Sequence, residues 1–369
     1  MSGLLTVFRR LAIGMVLICV SIGILLWSDP KRSGSSRPSN AARKIAVVSF
    51  ATVPVLEEGV NGLLAGLAQA GFRDGEGYEI KVFNAEGELA TASLIAREIV
   101  GDDYELVTTI STPTLQAVAV ANTHTKLPHV FTLTTDPWGA GIGVSRDDPL
   151  DHPSYMTGYG SLQPVESLFN MALMVNPHLK TVGVVWNPAE SNSESSTLAA
   201  RAACKKLKIE LIEATVDTSS GVVDAVNSLI SREVEAIWSG GDSTVSSARE
   251  AMVAAATKAS IPIFTNMPQD VEQGALFCVG ADYYEVAYAG GLLAARVLNG
   301  ESTADIPIEN MVPEQMAINL KMLPNFFPVW KFKREWEQTA NVVIQPDGTV
   351  RRNETTKTEL STAATSHQP

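Results

Sequence analysis

The chain has 369 residues, 45% of them hydrophobic and 18% charged, with a formal net charge of −12. That profile suits about two globular domains plus extensions. The negative charge excludes a nucleic-acid surface, which needs a basic patch.

Arg9 and Arg10 precede an unbroken apolar run from Leu11 to Trp27. As a helix this run would extend about 25 Å, slightly short of a bilayer core. It ends in Leu-Leu-Trp-Ser-Asp-Pro with no small-x-small site, and Cys19 follows Ile18 where a lipoprotein box wants a small residue. Residues 1–28 therefore read as a signal anchor, an N-terminal membrane helix, ahead of a cleaved signal peptide. Residues 29–43, rich in Ser, Pro and Arg, read as a flexible linker.

The folded part opens on the β-rich apolar run 43–51. Helical apolar spacing over 56–71, a strand over 78–84 and a helix over 89–100 follow. A strand over 105–110, a helix over 113–122 and a strand over 130–135 complete the first unit. This βαβαβαβ order predicts a parallel sheet flanked by helices. It restarts after Thr157-Gly158 with a helix over 161–175 and a strand over 181–186. A helix over 193–207, a strand over 209–216, a helix over 222–231 and a strand over 234–239 come next. A helix over 245–260, a strand over 261–265, a helix over 284–298 and a strand near 316–320 come last. Two α/β units in series predict two lobes. From about residue 345 the tail is Thr-, Ser- and Glu-rich and reads as disordered.

In a parallel sheet the carboxyl ends of the strands share one rim, and helix N-termini point at it. The first unit places Ser49, Asn84, Ser111, Thr112, Thr135, Asp136 and Trp138 there. The second places Glu190, Asn192, Ser193, Asp242 and Asp270 there. Ser111-Thr112-Pro113 is a hydroxyl-then-proline helix start, whose free N–H groups suit a carboxylate. Asp136, Glu190, Asp242 and Asp270 are candidates to neutralise a cation, so the rim as a whole suits a zwitterion. Trp138 and Trp186 are candidates to line a side-chain pocket. Helix capping accounts for any one of these small polar residues; their recurrence at nearly every rim position goes beyond it.

Enzyme chemistry finds no footing. The five histidines are scattered, and no HExxH, GxSxG, GxxxxGK[ST] or helix-opening GxGxxG occurs, so neither catalytic residues, a metal nor a cofactor is expected. Cys204 and Cys278, with no CxxC or zinc spacing near them, read as two buried free thiols.

The segments FNAEG, STPTLQAVA, FTLTTDPWGAG, TGYGSLQP, VGVVWNPAESNS, GGDSTVSSA, QGALFCVGADYYEVAYAGG and AINLKM occur in the order and spacing of one bacterial family. Over residues 44–320 the chain resembles the ABC-transporter substrate-binding proteins of the tryptophan/tyrosine type. The resemblance implies an α/β, type I periplasmic-binding-protein fold of two Rossmann-like lobes joined by a three-stranded hinge. Lobe 1 would be 44–157 plus 283–316 and lobe 2 158–282 plus 317–344, with crossovers near 157–161, 280–282 and 316–319. It implies a monomeric periplasmic or extracytoplasmic receptor, here anchored to the inner membrane. Hinge closure would capture an amino acid, aromatic ones foremost, or a similar small zwitterion, and present it to ABC permease subunits. By position, Ser111, Thr112, Asp136, Glu190, Asn192, Ser193 and Asp242 carry over as cleft residues. The chain departs from the family at Trp138, where a small aliphatic residue is common, and at 266–270, where a Ser/Glu-rich turn is usual. It also lacks the lipoprotein cysteine. The anchor would equally serve a membrane-tethered sensing module that signals to a separate partner protein.

Overall fold

The computed structural model describes residues 42–353. The expected anchor, nearly all of the linker and the tail beyond residue 353 lie outside the described residues. Among the described residues no helix is long and apolar enough to cross a membrane.

The first sheet is built from β1 (Arg43–Ser49), β2 (Tyr78–Asn84), β3 (Tyr104–Ile110), β4 (His129–Thr134), β5 (Met156–Gly160) and β11 (Glu309–Asn310), in the order β11-β5-β4-β3-β1-β2. Helices α1 (Pro54–Gln69), α2 (Leu89–Gly101) and α3 (Thr112–Ala121) connect its first four strands. The strands β1, β3 and β4 are buried along nearly their whole length, because helices cover both faces of a parallel sheet. At the edge, β2 is only partly buried, which its mixed Lys/Glu/Val composition tolerates.

The second sheet holds β6 (Thr181–Trp186), β7 (Glu210–Thr215), β8 (Ala236–Ser239), β9 (Ile263–Thr265), β10 (Phe277–Ala281), β12 (Glu314–Asn319), β13 (Val342–Ile344) and β14 (Val350–Arg352). Their order is β14-β13-β12-β10-β9-β8-β6-β7. Its helices are α4 (Val165–Val175), α5 (Ser191–Leu207), α6 (Val222–Ser231), α7 (Ser243–Ser246), α8 (Arg249–Lys258) and α9 (Pro268–Glu272). The single helix expected over 245–260 is thus two, α7 and α8. The aromatic core stacks Phe264 on Phe277, with centroids 5.3 Å apart, and adds Phe169, Trp238 and Trp330.

Helix α10 (Tyr283–Leu298) returns to the first lobe and packs on α1. Glycines allow the close approach: a Cβ at Gly62 would stand 2.3 Å from the Tyr284 carbonyl oxygen, and one at Gly66 2.2 Å from that of Tyr288. The chain passes between the sheets three times, at 161–164, at Asp282 and at 311–313. Two boundaries differ from expectation. All of β5, including Gly158 to Gly160, belongs to the first sheet. The third passage precedes 316–319, because β12 already pairs antiparallel with β10 from Glu314, opposite Ala281. Backbone pairing extends two polar residues beyond the apolar pattern that marked this strand in the sequence.

The tail is ordered further than its composition suggested. Strand β14 pairs antiparallel with β13 through a turn at Gly348, whose φ of 89° needs a glycine. Arg352 then meets Glu272 on α9. The polar residues that read as disorder are those of an exposed edge hairpin. Residues 323–340, given no element from the sequence, bury Phe326, Trp330 and Trp336 in the second core and include a one-turn helix, α11 (Trp336–Thr339). Cys204 and Cys278 are buried and free, and burial pushes the Cys204 thiol up to about 12.

Candidate functional site

A cavity lies between the lobes and is partly open to solvent. Val53, Val55 and Leu56 at the start of α1 form one part of its wall. Ser111 and Thr112 at the start of α3, with Leu133 and Thr135 from the end of β4, complete the first-lobe side. Asn192, Gly241, Asp242, Ser243, Ser246 and Met267 come from the second lobe. Ser161, Gln163 and Tyr283 close the cavity where the chain passes between sheets.

Two wall residues hold backbone conformations that L-residues rarely adopt. Ser111 has φ 105° and ψ 158°, a region that is essentially glycine's, and Leu133 has φ 52°. Leu133 sits where the β4–β5 register is broken, between Phe131 and Thr134. A bulge of this kind re-aims a side chain. Gly59 makes room for the result, since a Cβ there would be 2.7 Å from Leu133 Cδ2. Ser111 is held by its N–H to the Thr132 carbonyl at 3.2 Å and by its own carbonyl, which accepts from Leu115 N–H at 3.2 Å.

On the opposite wall Asp242 is buried. Its Oδ2 accepts the Ser193 hydroxyl at 2.6 Å and the Asn187 N–H at 2.7 Å, and its Oδ1 accepts the Val245 N–H at 2.8 Å. Burial, reinforced by the charge of Glu190, pushes the Asp242 carboxyl up to about 6. Neither Asp242 nor Glu190 forms an ion pair among the described residues.

Two amide oxygens of the wall are also unsatisfied. Asn192 Nδ2 donates to the Gly241 carbonyl at 2.8 Å, and Gln163 Nε2 donates to Tyr283 Oη at 2.8 Å. The other ends, Asn192 Oδ1 and Gln163 Oε1, are buried without a partner among the described residues. A buried orphan acceptor costs about 1–3 kcal/mol, so a pair at one cavity calls for a donor from outside the chain.

Five of the twelve residues picked from the sequence line this cavity: Ser111, Thr112, Thr135, Asn192 and Asp242. The other seven are engaged elsewhere. Ser49 is buried, its carbonyl accepting the Ala85 N–H at 3.0 Å. Asn84 shapes a turn, donating to Thr52 Oγ1 and accepting the Glu86 N–H, each at 2.8 Å. Asp136 was expected to await a ligand cation, but Arg146 already meets it at 2.5 Å and Gly139 N–H at 3.0 Å. Trp138 packs beside Leu115 and Phe131, under the Arg146 guanidinium at 5.5 Å, and so forms no ring wall. Trp186, the other pocket-wall candidate and not one of the twelve, likewise turns away, donating to Glu213 at 3.0 Å. Glu190 caps α7, accepting Ser243 N–H, Thr244 N–H and the Thr244 hydroxyl at 2.7–2.9 Å. Ser193 is spent on Asp242, and Asp270 is neutralised by buried Arg249 at 2.9 Å.

The sequence reading missed the apolar wall of Val53, Val55, Leu56, Leu133, Met267 and Tyr283, and the amide of Gln163. Gln163 and Tyr283 lie inside the segments TGYGSLQP and ADYYEV, next to two of the passages between sheets. That position is the signal that could have found them.

Two lobes of largely parallel sheet, a cavity between them with polar and apolar walls, and a hinge of three passages define a two-lobed solute-binding protein. Residues 44–326 match the family described as ABC transporter substrate binding protein, and the chain belongs to it. The chain is 28% identical over 312 residues to the tyrosine-binding protein of Clostridioides difficile strain R20291, covering 82% of this chain and 89% of that one. Among solved structures, a conserved domain protein of Vibrio cholerae is 30% identical, with a TM-score of 0.77 over 82% of this chain and 99% of its own. A domain from Streptococcus pneumonia in complex with L-Trp is 25% identical, with a TM-score of 0.76 over 82% of this chain and 100% of its own. A ligand-free, open substrate-binding protein from Clostridium difficile is 28% identical yet has a TM-score of only 0.60, over 80% of this chain and 97% of its own. In the present chain the lobes are bridged by hydrogen bonds such as Ser191 Oγ to Gln116 Oε1 at 3.2 Å.

Proposed function

We propose that this chain is the extracytoplasmic receptor of an ABC importer and that its ligand is an amino acid with an aromatic side chain. The observation that carries the reading is the set of three acceptors without a cation on one side of the cavity: Asn192 Oδ1, Gln163 Oε1 and the Asp242 carboxylate. An α-ammonium group brings three N–H donors and one positive charge to that set. The start of α3, with the hydroxyls of Ser111 and Thr112, then faces the ligand carboxylate, which the positive end of a helix favours. The apolar wall from Val53 to Leu56, with Leu133, Met267 and Tyr283, takes the side chain. Relatives named for tyrosine binding or solved with L-Trp support an aromatic ring there. Catalysis has no part in this; hinge closure brings the two walls together on the ligand, and permease subunits read the closed form. The apolar run from Leu11 to Trp27 supports a tether to the membrane.

A thermal-shift and calorimetric screen of the amino acids tests the reading. Tryptophan, tyrosine or phenylalanine at a hundred times its dissociation constant should add about 2.7 kcal/mol of stability. Stabilisation only by small aliphatic or anionic solutes would reject the aromatic ligand, and none by any amino acid would reject the class.

A further inference from the structure

Among the described residues, two side-chain hydrogen bonds join the lobes away from the cavity wall and the hinge. One is Ser191 to Gln116. The other runs from Gln269 Nε2 on α9 to Glu58 Oε2 on α1, at 2.5 Å. Neither Glu58 nor Gln269 lines the cavity. Gln269 Oε1, the other end of the same amide, is buried and has no partner among the described residues. Glu58 is half-buried and faces Asp282 and Glu272, with Arg352 as the opposing charge.

We infer that Glu58 and Gln269 form a latch that holds the lobes shut when Glu58 carries a proton, so that two positioning residues remote from the ligand help set the closed population. The geometry distinguishes the two forms. A neutral Glu58 carboxyl can give its O–H to Gln269 Oε1 while its other oxygen accepts from Nε2. Both ends of the amide are then satisfied and no charge is enclosed. An ionised Glu58 keeps one bond, leaves Oε1 orphaned and is repelled by Asp282 and Glu272. Burial is the chief reason that the Glu58 carboxyl lies above its usual range in this closed form. In an open form water reaches the group and it ionises as an ordinary glutamate. Closure therefore takes one proton from solvent. Its benefit is complete below the ordinary glutamate value and is lost as pH rises through the raised one. A ligand that selects the closed form binds more weakly by the same factor.

The inference rests on lobe closure and needs no particular ligand. The full chain is titrated with tryptophan at pH 4.5, 6 and 8 as wild type, Glu58→Gln and Glu58→Ala. Because Asp242 titrates in the same range, the quantity to follow is the ratio of wild-type to Glu58→Gln dissociation constants, in which Asp242 cancels. That ratio should be near one at pH 4.5 and rise about three- to tenfold at pH 8, the worth of roughly one hydrogen bond. Glu58→Gln, which mimics the neutral acid, should bind more tightly than Glu58→Ala at every pH. A ratio flat with pH, or equal affinities for the two variants, overturns the latch. If tryptophan does not bind, the lobe distance is read directly, with spin labels at Leu94→Cys and Leu198→Cys, exposed sites on the two lobes, in a Cys19→Ser background. The distance should shorten on acidification in the Glu58 protein and stay short in Glu58→Gln. A distance indifferent to pH in the Glu58 protein overturns the latch whatever the ligand proves to be.

Discussion

Ser193 gives its hydroxyl hydrogen to Asp242 Oδ2 at 2.6 Å, and the carboxylate so held stands at the cavity wall with no cation beside it among the described residues. The pH dependence of binding follows from this pair. Burial and the charge of Glu190 hold the Asp242 carboxyl at about 6, and a ligand ammonium beside it lowers that value. Binding then releases a proton below pH ~6 and none well above it. Affinity should be level above pH 7 and fall by up to about tenfold per unit as pH drops below 6. Asp242→Asn should cost about 2–4 kcal/mol of binding at pH 7.5 and remove most of that dependence. Calorimetry in buffers of different ionisation enthalpy measures both affinity and the proton released.

Asn192→Ala removes an acceptor that already lacks a partner in the empty protein. The variant also loses the Nδ2 bond to the Gly241 carbonyl, so the unliganded protein should lose about 1 kcal/mol of stability as well. The expected loss of binding is about 1–3 kcal/mol, checked by calorimetry beside a thermal melt of the empty variant.

Ser111→Gly separates strain from function. Glycine accepts φ 105° freely, so the empty protein should gain about 1 kcal/mol in urea unfolding. Loss of the hydroxyl should weaken ligand binding in the same variant. A variant that is no more stable would mean that the neighbouring bonds to Thr132 and Leu115 already absorb the strain.

The pair Arg249–Asp270 is buried on both sides, and burial pushes Asp270 up while Arg249 pulls it down. Arg249→Met alone leaves an uncompensated buried acid and should cost about 3–5 kcal/mol in urea unfolding. Arg249→Met with Asp270→Leu should recover much of that. The pair anchors α9, which carries Gln269 and follows Met267, so the single variant should also loosen ligand binding.

Gly66→Ala tests the helix pair under the first lobe. Its Cβ would meet the Tyr288 carbonyl oxygen at 2.2 Å, and backbone on both helices leaves nothing flexible to yield. A loss of about 1–3 kcal/mol is expected in urea unfolding, whereas the same change at exposed, helical Gly101 should gain about 0.4–1 kcal/mol.

The order of strands and helices through both lobes was legible in the chain, as was the address of the site. Apolar runs covered on both faces announce parallel strands, and the hydroxyl, proline or acid after each one marks a strand-to-helix junction. Ser111, Thr112, Thr135, Asn192 and Asp242 were found in this way, because both signals are local. The hairpin at 342–352 was not, since its exposed strand has the composition of a disordered tail.

Only the tertiary structure decided which acids of the rim remain without a cation. Asp136 has Arg146, Asp270 has Arg249, and Glu190 is taken by N–H groups 53 and 54 residues away. The apolar wall was hidden for the same reason. A bulge aims Leu133, glycine at 59 admits it, and Met267 reaches the wall from the other lobe. Local sequence sets where a backbone turns; which partner a buried charge finds, and which side chains share a cavity, depends on neighbours that the chain brings together only by folding.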